Sequence, residues 1–272
     1  MTTFLTLVNQ LFDLIFFPFR SLNPMVGLTV VSFLTGILMV LVFRTTSNQA
    51  GIKQVKERIK AHLLAIRLFQ DQLDVVLRTH ARILGSTLSY MGFSLRPLAV
   101  MFLPIVLIMV QLELRLGQHP ARAEESFLVA ATFTEPGSLE QASLQLPPGL
   151  ALTAPPLRIF ERKEITWRVE ASEVGDFTLG IVVGEQAFAK TVTVGDSAAR
   201  LSRKRIRAGL VNQFLYPGEP PLPKEARVES IEIKYRPRSI DSGLFESHWL
   251  VPFFGLSLIA GLALKGVLRT EI

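Results

Sequence analysis

The polar residues with the most informative spacing lie in the first apolar stretch of the chain, residues 25–43. Thr29, Ser32 and Thr35 recur at three-residue intervals, so they share one face of a helix. Arg44 follows directly after the stretch. One interpretation is a polar groove that faces a passing substrate. The other is that the small hydroxylated residues pack against neighbouring helices in lipid and that Arg44 holds the membrane interface.

Methionine is concentrated in the same part of the chain. Apart from Met1, all the methionines lie between residues 25 and 109. Because an unbranched thioether side chain adapts to irregular surfaces, we assign Met39 and Met101 to the candidate groove. Contact with lipid, or ordinary packing against other helices, is the alternative for both residues.

No residue pattern in the chain predicts catalysis. There are no cysteines, which excludes disulfides, thiolate metal sites and cysteine nucleophiles. The four histidines have no helical spacing to carboxylates, and the sequence contains no glycine-rich phosphate loop, G-x-S-x-G or H-E-x-x-H motif. We therefore expect no enzyme activity, no bound metal and no cofactor.

Three uncharged apolar stretches dominate the layout: residues 25–43, 98–112 and 249–264. With 49% hydrophobic residues and a mean hydropathy of +0.37, the chain is expected to be an integral membrane protein. As helices the last two stretches would reach only about 22–24 Å. Because a bilayer core is about 30 Å thick, they imply local thinning or flanking side chains that reach the interface. Pro97 and Pro104 are expected to kink the second stretch.

The two polar segments between these stretches differ in charge. Residues 44–96 carry nine basic and three acidic residues, a net charge of +6, whereas residues 117–248 carry 16 basic and 17 acidic residues, a net charge of −1. Short loops rich in Lys and Arg stay in the cytoplasm, while long domains cross largely regardless of charge. We therefore expect an N-terminus outside and a C-terminus in the cytoplasm, in the bacterial inner (plasma) membrane.

Helical patterns flank the first stretch. In residues 1–21 the polar residues fall on one face, which predicts an amphipathic helix that lies in the outer interface and stops at Pro18; a fourth half-span is the alternative. From Ile52 onward apolar residues recur at steps of three and four, which is typical of a long amphipathic helix or a helical hairpin with a turn near Gln70 to Asp74. The predicted seam consists of Ile52, Val55, Ile59, Leu63, Ile66, Phe69, Leu73 and Val76.

From Ser126 onward the period of the apolar residues changes to two. Short alternating runs separated by Gly, Pro and Asp turns predict an antiparallel β-sandwich. The basic run after residue 199 is interpreted first as a charged edge strand and second as a contact with lipid headgroups. The alternating sets are Ile165, Trp167 and Val169; Phe177, Leu179, Ile181 and Val183; Phe188, Val192 and Val194; and Ile231, Ile233 and Tyr235. The basic run is Arg200, Arg203, Lys204, Arg205 and Arg207.

The topology, together with three segments of sequence, resembles the YidC/Oxa/Alb superfamily of membrane-protein insertases. The segments are GLTVVSFLTGILMVLVF followed by SNQAGIKQVKERIK, then SYMGFSLRPLAVMFLPIVLIMV, and finally WLVPFFGLSLIAGLALKGVLR. The pattern is most similar to the branch that contains the third subunit of the ER membrane complex and the archaeal YidC-like proteins. The similarity covers about residues 22–116 and 248–270. The large domain between the second and third stretches departs from that branch.

The resemblance implies an insertase, not an enzyme, that moves polar flanks of client helices through a hydrophilic groove in a thinned bilayer. It implies nascent membrane-protein clients and the lipid bilayer as partners, and a ribosome or other insertion factors as partners of the basic hairpin. The implied client groove consists of Ser32, Thr35, Arg44, Thr29, Met39 and Met101. Two other functions stay open: a membrane-anchored scaffold whose outer β-domain holds an unknown partner, and a channel or transporter subunit.

The predicted fold is thus a three-helix transmembrane core with a cytoplasmic helical hairpin or coiled coil, plus an extracytoplasmic antiparallel β-sandwich-like domain. The predicted boundaries are an interfacial helix over residues 1–21, spans over residues 22–44, 91–116 and 248–268, a cytoplasmic hairpin over residues 45–90 and the β-domain over residues 117–247.

Overall fold

A computed structural model of the chain describes residues 2–19, 23–68, 73–195, 200–241, 243 and 246–267. The chain forms two compact units. One unit contains Met1–Leu28 and Ile108–Trp249, and the other contains Thr29–Leu107 and Leu250–Ile272. The β-domain therefore shares a unit with the N-terminal helix and with the last turns of the second apolar helix. The boundaries predicted from the sequence treated these three segments as separate regions.

Long helices occupy the N-terminal part and the C-terminal end of the chain, and two short helices lie between strands of the β-domain. They are α1 (Thr2–Phe16), α2 (Pro24–Thr46), α3 (Gln49–Leu68), α4 (Leu73–Leu116), α5 (Ser138–Gln141), α6 (Leu210–Leu215) and α7 (Leu250–Val267). α1 ends at Phe16, two residues before the stop that the sequence predicts at Pro18, and a short 3-10 helix, Phe17–Phe19, follows it. Within the described residues, two helices are long and apolar enough to cross a membrane, by length and composition: Pro24–Thr46 and Arg78–Leu116. The apolar part of α7, Leu250–Leu264, is shorter.

The boundary predicted at residues 90 and 91, between hairpin and second span, does not appear as a break in the structure. α4 runs without interruption for 44 residues, about 66 Å, and keeps Pro97 and Pro104 in its interior. Each proline removes only one backbone donor, and the Leu, Met and Ala residues around it favour the helix. The second arm of the predicted hairpin and the second apolar stretch are therefore one helix.

α3 supplies the first arm of the predicted hairpin. It ends at Leu68, and Asp74 is already helical; residues 70–72 of the predicted turn lie outside the described residues. Ile52 and Val55 of the seam are buried, whereas Leu63 is 55% exposed. Packing along this seam is thus confirmed only in the first turns of α3. Phe69 is outside the described residues, as are the side chains of Leu73 and Val76.

α2 and α7 pack closely through a small residue. A Cβ atom placed on Gly36 would lie 2.6 Å from the backbone oxygen of Ser257 and 2.8 Å from the Cβ of Ala260. Only a glycine allows the two backbones to approach to this distance. Small residues on the face of α2 therefore serve helix packing here, which is one of the two interpretations of that face.

The β-domain consists of antiparallel ladders between short strands. The strands are β1 (Gln118–His119), β2 (Ser126–Phe133), β3 (Ala142–Gln145), β4 (Leu150–Leu152), β5 (Leu157–Ile159), β6 (Glu164–Ala171), β7 (Gly175–Val183), β8 (Gln186–Val194), β9 (Lys204–Ile206), β10 (Val228–Lys234), β11 (Arg236–Pro237), β12 (Ile240–Asp241) and β13 (Glu246–Ser247). A six-stranded sheet has the order β4-β6-β2-β10-β9, with β5 also paired to β6, and a three-stranded sheet has the order β3-β7-β8. Two further pairs, β1 with β11 and β12 with β13, complete the pairing.

The two larger sheets share one hydrophobic core. Val129, Trp167 and Ile231 of the six-stranded sheet belong to the same buried cluster as Leu179 and Val192 of the three-stranded sheet. Alternation of side chains across each strand explains this, because every second residue points to the same face. The antiparallel strands and alternating inner faces predicted from the sequence are therefore confirmed.

Candidate functional site

A groove lined by α2, α4 and α7 is the first candidate site, with a volume of about 270 Å³. We call it the helical groove. α2 contributes Thr35, Gly36, Met39, Val40 and Phe43; α4 contributes Met101 and Ile105; α7 contributes Phe253, Phe254, Ser257, Leu258, Gly261 and Leu262. All of these residues lie in the helical unit of the chain.

The hydroxyl groups in the helical groove are already used by their own helices. Thr35 Oγ1 donates to the Val31 carbonyl oxygen at 2.7 Å, and Ser257 Oγ donates to the Phe253 carbonyl oxygen at 2.5 Å. Such bonds back to the preceding turn leave the methyl, thioether and aromatic groups to form the surface. The helical groove is therefore suited to an apolar helix or hydrocarbon chain, and it holds no activated nucleophile or acid–base pair.

The structure brings three of the six predicted site residues together and leaves three apart. Thr35, Met39 and Met101 line the helical groove. Ser32 does not line it and is fully buried. Thr29 and Arg44 are exposed and also lie outside its lining, although Arg44 directly follows Phe43, which does line it.

In comparisons with known proteins, no protein-family model, no curated protein and no solved structure matches the chain. Among the residues that the structure describes, no group of three or more His, Asp or Glu side chains is placed to hold a metal ion.

A buried polar cluster joins α1 to the last turns of α4, and we call it the α1 polar cluster (Asn9, Asp13, Gln111 and Arg115). Arg115 Nη2 donates to Asp13 Oδ1 at 2.5 Å and to the Asn9 carbonyl oxygen at 3.2 Å. Arg115 Nη1 donates to Gln111 Oε1 at 2.8 Å, and Gln111 Nε2 donates to Asn9 Oδ1 at 2.8 Å. With Arg115 only 3% exposed, these bonds replace the water that its charge has lost.

The α1 polar cluster covers part of the polar face of the N-terminal helix and leaves several of its large apolar side chains exposed. Asn9 and Asp13 face the protein together with the buried Leu5, Phe12 and Phe16, whereas Thr6 and Gln10 are exposed. Asn9 Nδ2 also donates to the Pro217 carbonyl oxygen of the β-domain at 2.9 Å. Other apolar side chains of α1 are exposed, at Phe4, Leu7, Leu11 and Leu14, and so is Phe17 of the 3-10 helix; Leu14 reaches 72%. The sequence predicted the two faces of this helix but not which protein groups would cover the polar one.

A second buried charge lies inside the β-domain, where Lys190 occupies an inward position of β8 and is fully buried. Its Nζ donates to Glu219 Oε2 at 2.7 Å and to the backbone oxygen of Ser202. Glu219 also accepts from the Thr191 backbone N–H at 2.8 Å and from Ser202 Oγ at 2.9 Å. The pair fixes the loop after α6 onto β8.

The burial of this pair changes its proton affinities. Burial lowers the pKa of Lys190, although Glu219 opposes that shift. Burial alone would raise the pKa of Glu219, but the charge of Lys190 and the three donated hydrogen bonds hold it below its ordinary value of 4.5. The burial of Lys190 was not predicted from the sequence, although Lys190 alternates with Phe188 and Val192 on the same face of β8.

The basic run contributes an edge strand, as its first interpretation stated. Lys204, Arg205 and Ile206 form β9, which stands at the end of the six-stranded sheet and pairs with β10. Arg203 Nη2 lies 2.7 Å from Glu232 Oε1 on β10, and Arg205 Nε donates to the Pro220 carbonyl oxygen at 2.8 Å. Charged side chains on an edge strand resist pairing with another chain.

Proposed function

We propose that the chain is a membrane-protein insertase in which the helical groove holds the apolar segment of a client helix. The observation that carries the proposal is the composition of the groove: two Met, three Phe and small residues from three helices surround one continuous apolar surface. Methionine and glycine let such a surface accommodate different side chains, which a protein with many clients needs. The similarity of the three sequence segments to the insertase superfamily supports the same function.

The physical task of an insertase is to lower the cost of carrying polar flanks across the bilayer. A charged side chain at the bilayer centre costs about 2.5–3.5 kcal/mol on insertion scales. The apolar part of α7 is 15 residues long, about 22 Å, and a bilayer thinned around so short a helix shortens the path of the flank. Arg44, next to the groove residue Phe43, would attract an acidic flank at the cytoplasmic end of that path.

The exposed apolar face of α1 supports the proposed membrane location. Each large apolar side chain gains about 1.5–3 kcal/mol when it leaves water for an apolar phase. Four such side chains of α1, and Phe17 of the 3-10 helix that follows, point away from the protein, because the α1 polar cluster and buried apolar residues hold the other face. We place α1 in the plane of the outer interface, with the β-domain outside the membrane.

Site-specific photocrosslinking during synthesis of a client tests the proposal. Crosslinkers at Met39 and Met101 should capture the client, because both residues line the helical groove. The matched positions are Leu38 and Phe102, which directly adjoin them, are 40% and 69% exposed, and do not line the groove. Those two should capture mainly lipid. Equal capture of the client at all four positions would refute a client groove.

The role of Arg44 is tested by insertion kinetics. Because one basic residue near a charged partner contributes about 1 kcal/mol, Arg44→Gln should slow insertion of a client with an acidic flank by about fivefold. A client with a neutral flank should be unaffected. Lys53→Gln, an exposed basic residue on α3, serves as the matched control and should leave both clients unchanged. Similar slowing of both clients by Arg44→Gln would contradict the electrostatic role.

The scaffold function has one observation in its favour. Leu152, Leu157 and Phe160 are 47%, 61% and 52% exposed, and they lie on or next to β4 and β5, which pair with the same strand at one end of the six-stranded sheet. An apolar edge of this kind could add a strand from a partner. Substituting Leu157 and Phe160 with Ser would abolish such a complex while leaving client crosslinking at Met39 intact, which separates the two functions.

A further inference from the structure

A second cavity, of about 380 Å³, lies between α1 and the segment that follows α6. We call it the α1 cavity. α1 contributes Thr6, Gln10 and Asp13 to its wall, and the opposite side carries Gln213, Tyr216 and the loop that contains Glu219. All of these residues belong to the unit that contains the β-domain. Unlike the helical groove, the α1 cavity has charged and amide side chains in its lining, set among apolar surface.

The charges around the α1 cavity leave a surplus of positive charge at Arg200. Asp13 is paired with two cations, Arg115 at 2.5 Å and Arg200 at 3.4 Å, and Glu219 is paired with Lys190. These five groups sum to +1. Arg115 and Lys190 are buried, whereas the Arg200 side chain is 31% exposed and lines the cavity. A ligand in the cavity therefore meets the positive charge at Arg200.

Another cation lies beside the same wall. Lys204 Nζ is 6.0 Å from the ring centre of Tyr216, which lines the α1 cavity. Lys204 shares Glu232 with Arg203, and this group of three carries a net charge of +1, which adds to the positive charge at Arg200. The phenol and the amide groups of Gln10 and Gln213 offer further hydrogen-bond donors. A phosphate with its ester oxygens matches this set of donors.

Exposed apolar side chains flank the α1 cavity on both sides. On α1, Leu7, Leu11 and Leu14 each follow a wall residue by one position, so they are rotated from the wall by about 100°. On α6, Leu210 and Val211 are 74% and 69% exposed. A cavity that contains an arginine and amide side chains and lies between exposed apolar residues matches the division of a phospholipid into headgroup and acyl chains.

The connection from α1 to α2 favours a lipid over a soluble ligand. The helical segment that begins with α1 ends at Phe19, and α2, a candidate membrane span, begins at Pro24. The five Cα-to-Cα steps from Phe19 to Pro24 can extend by at most about 18 Å. The exposed face of α1 therefore cannot lie far from the end of an apolar helix that is long enough to cross a bilayer.

We propose that the α1 cavity binds the phosphate-bearing headgroup of a phospholipid, whose acyl chains cover the exposed faces of α1 and α6. Arg200 contacts the phosphate, and the polar side chains of the wall orient it. The proposal rests on the membrane location given above but not on insertase activity. In this proposal the β-domain contacts the lipid headgroups and so keeps a fixed position relative to the membrane surface.

Photolabelling of the full-length protein in lipid nanodiscs tests this proposal. Three probes carry the same photoreactive acyl chain: phosphatidylglycerol, phosphatidylcholine and diacylglycerol. Both phospholipids should label peptides of α1 and α6, and diacylglycerol, which lacks the phosphate, should label them weakly. Because one basic residue near a lipid phosphate contributes about 1 kcal/mol, Arg200→Gln should weaken phospholipid labelling by about fivefold.

Two variants make the result decisive. Arg207→Gln removes a cation of the same basic run that does not line the α1 cavity, so it should leave labelling unchanged. Gln10→Trp keeps every charge and should also reduce labelling, because the larger side chain fills the cavity. Equal labelling by diacylglycerol, or equal losses in Arg200→Gln and Arg207→Gln, would overturn the headgroup site. Failure of the protein to enter nanodiscs at all would instead overturn the membrane location, and client insertion is not involved in either outcome.

Discussion

Asp13 and Arg115, 102 residues apart in the sequence, form an ion pair of 2.5 Å that joins the N-terminal helix to the end of α4. Phe12 and Phe16 lie on either side of the contact, with ring centres 5.8 and 5.7 Å from the guanidinium carbon. The charge is thus enclosed by hydrogen-bond acceptors and aromatic faces together. The pair decides which face of α1 is covered by protein and which face is left to its surroundings.

Removal of the guanidinium should release α1. In Arg115→Met, the carbonyl of Asn9 and the amide of Gln111 lose their partner, and Asp13 keeps only the longer contact with Arg200. We expect a loss of about 2–3 kcal/mol, measured as faster hydrogen exchange of the α1 amides. Arg122→Met, at an exposed position, should exchange like the wild type. Protection of α1 that is unchanged in Arg115→Met would show that apolar contacts alone hold the helix.

The β-domain should fold without the helices. All members of its buried cluster lie between Ala121 and Tyr235, so residues 117–248 contain the complete core. Expressed alone, this segment should unfold in one cooperative transition and give a β-type circular dichroism spectrum. A helical or disordered spectrum would mean that α1 and the end of α4 are required for folding and do not merely dock onto the domain.

Acid should weaken the β-domain through Glu219. Its pKa is lower in the folded chain than its ordinary value of 4.5, so its stabilising contribution is complete above that value and is lost as the pH falls below it. Glu219→Gln should remove about 3 kcal/mol at neutral pH, because Lys190 is left buried without a counter-charge, and should flatten the acid dependence. Urea unfolding at several pH values measures both effects.

A carboxylate in the same loop provides the control for that experiment. Glu225 is exposed, and Glu225→Gln should unfold like the wild type at each pH. If Glu219→Gln kept the full acid dependence of the wild type, carboxylates other than Glu219 would account for the acid sensitivity.

The strands were predictable because their signal is local. Ile165, Trp167 and Val169 alternate with polar residues, and a period of two requires no knowledge of the partner strand. The same alternation places Lys190 on the inner face of β8, so its burial could have been predicted from the sequence. The alternation does not identify Glu219 as its partner. The α1 polar cluster had no such signal, because the pairs that join α1 to α4 are more than 100 residues apart and only tertiary packing brings them together.

The candidate groove was predicted in part for a related reason. Three-residue spacing predicted that Thr29, Ser32 and Thr35 share one face of α2, but their surroundings in the structure differ, and Thr29 is exposed. Thr35 borders the helical groove, while Ser32, one turn earlier, is fully buried. The contribution of α7, through Phe253 and Ser257, depends on the close approach at Gly36, which periodicity alone does not reveal.

The proposed topology is tested with two single cysteines in a chain that has none of its own. Gln54 on α3 and Glu173 in the turn between β6 and β7 are both exposed. An impermeant maleimide applied to intact cells should label Glu173→Cys, and Gln54→Cys should react only after the membrane is opened. Labelling of both positions from the outside would reject the placement of residues 45–90 in the cytoplasm.

The contact between α2 and α7 should be sensitive to a single methyl group. Gly36→Ala would place a Cβ 2.6 Å from the Ser257 backbone oxygen, and since backbone cannot rotate away, the helices must separate. We expect a loss of about 1–3 kcal/mol, read as a lower unfolding temperature in detergent. Gly255→Ala on α7 meets nothing within 4 Å and should be neutral or stabilising by about 0.5–1 kcal/mol.

Separation of the helices should also widen the helical groove, so client capture at Met39 should fall in Gly36→Ala and persist in Gly255→Ala. Equal melting of the two variants would show that α2 and α7 do not approach as closely as described.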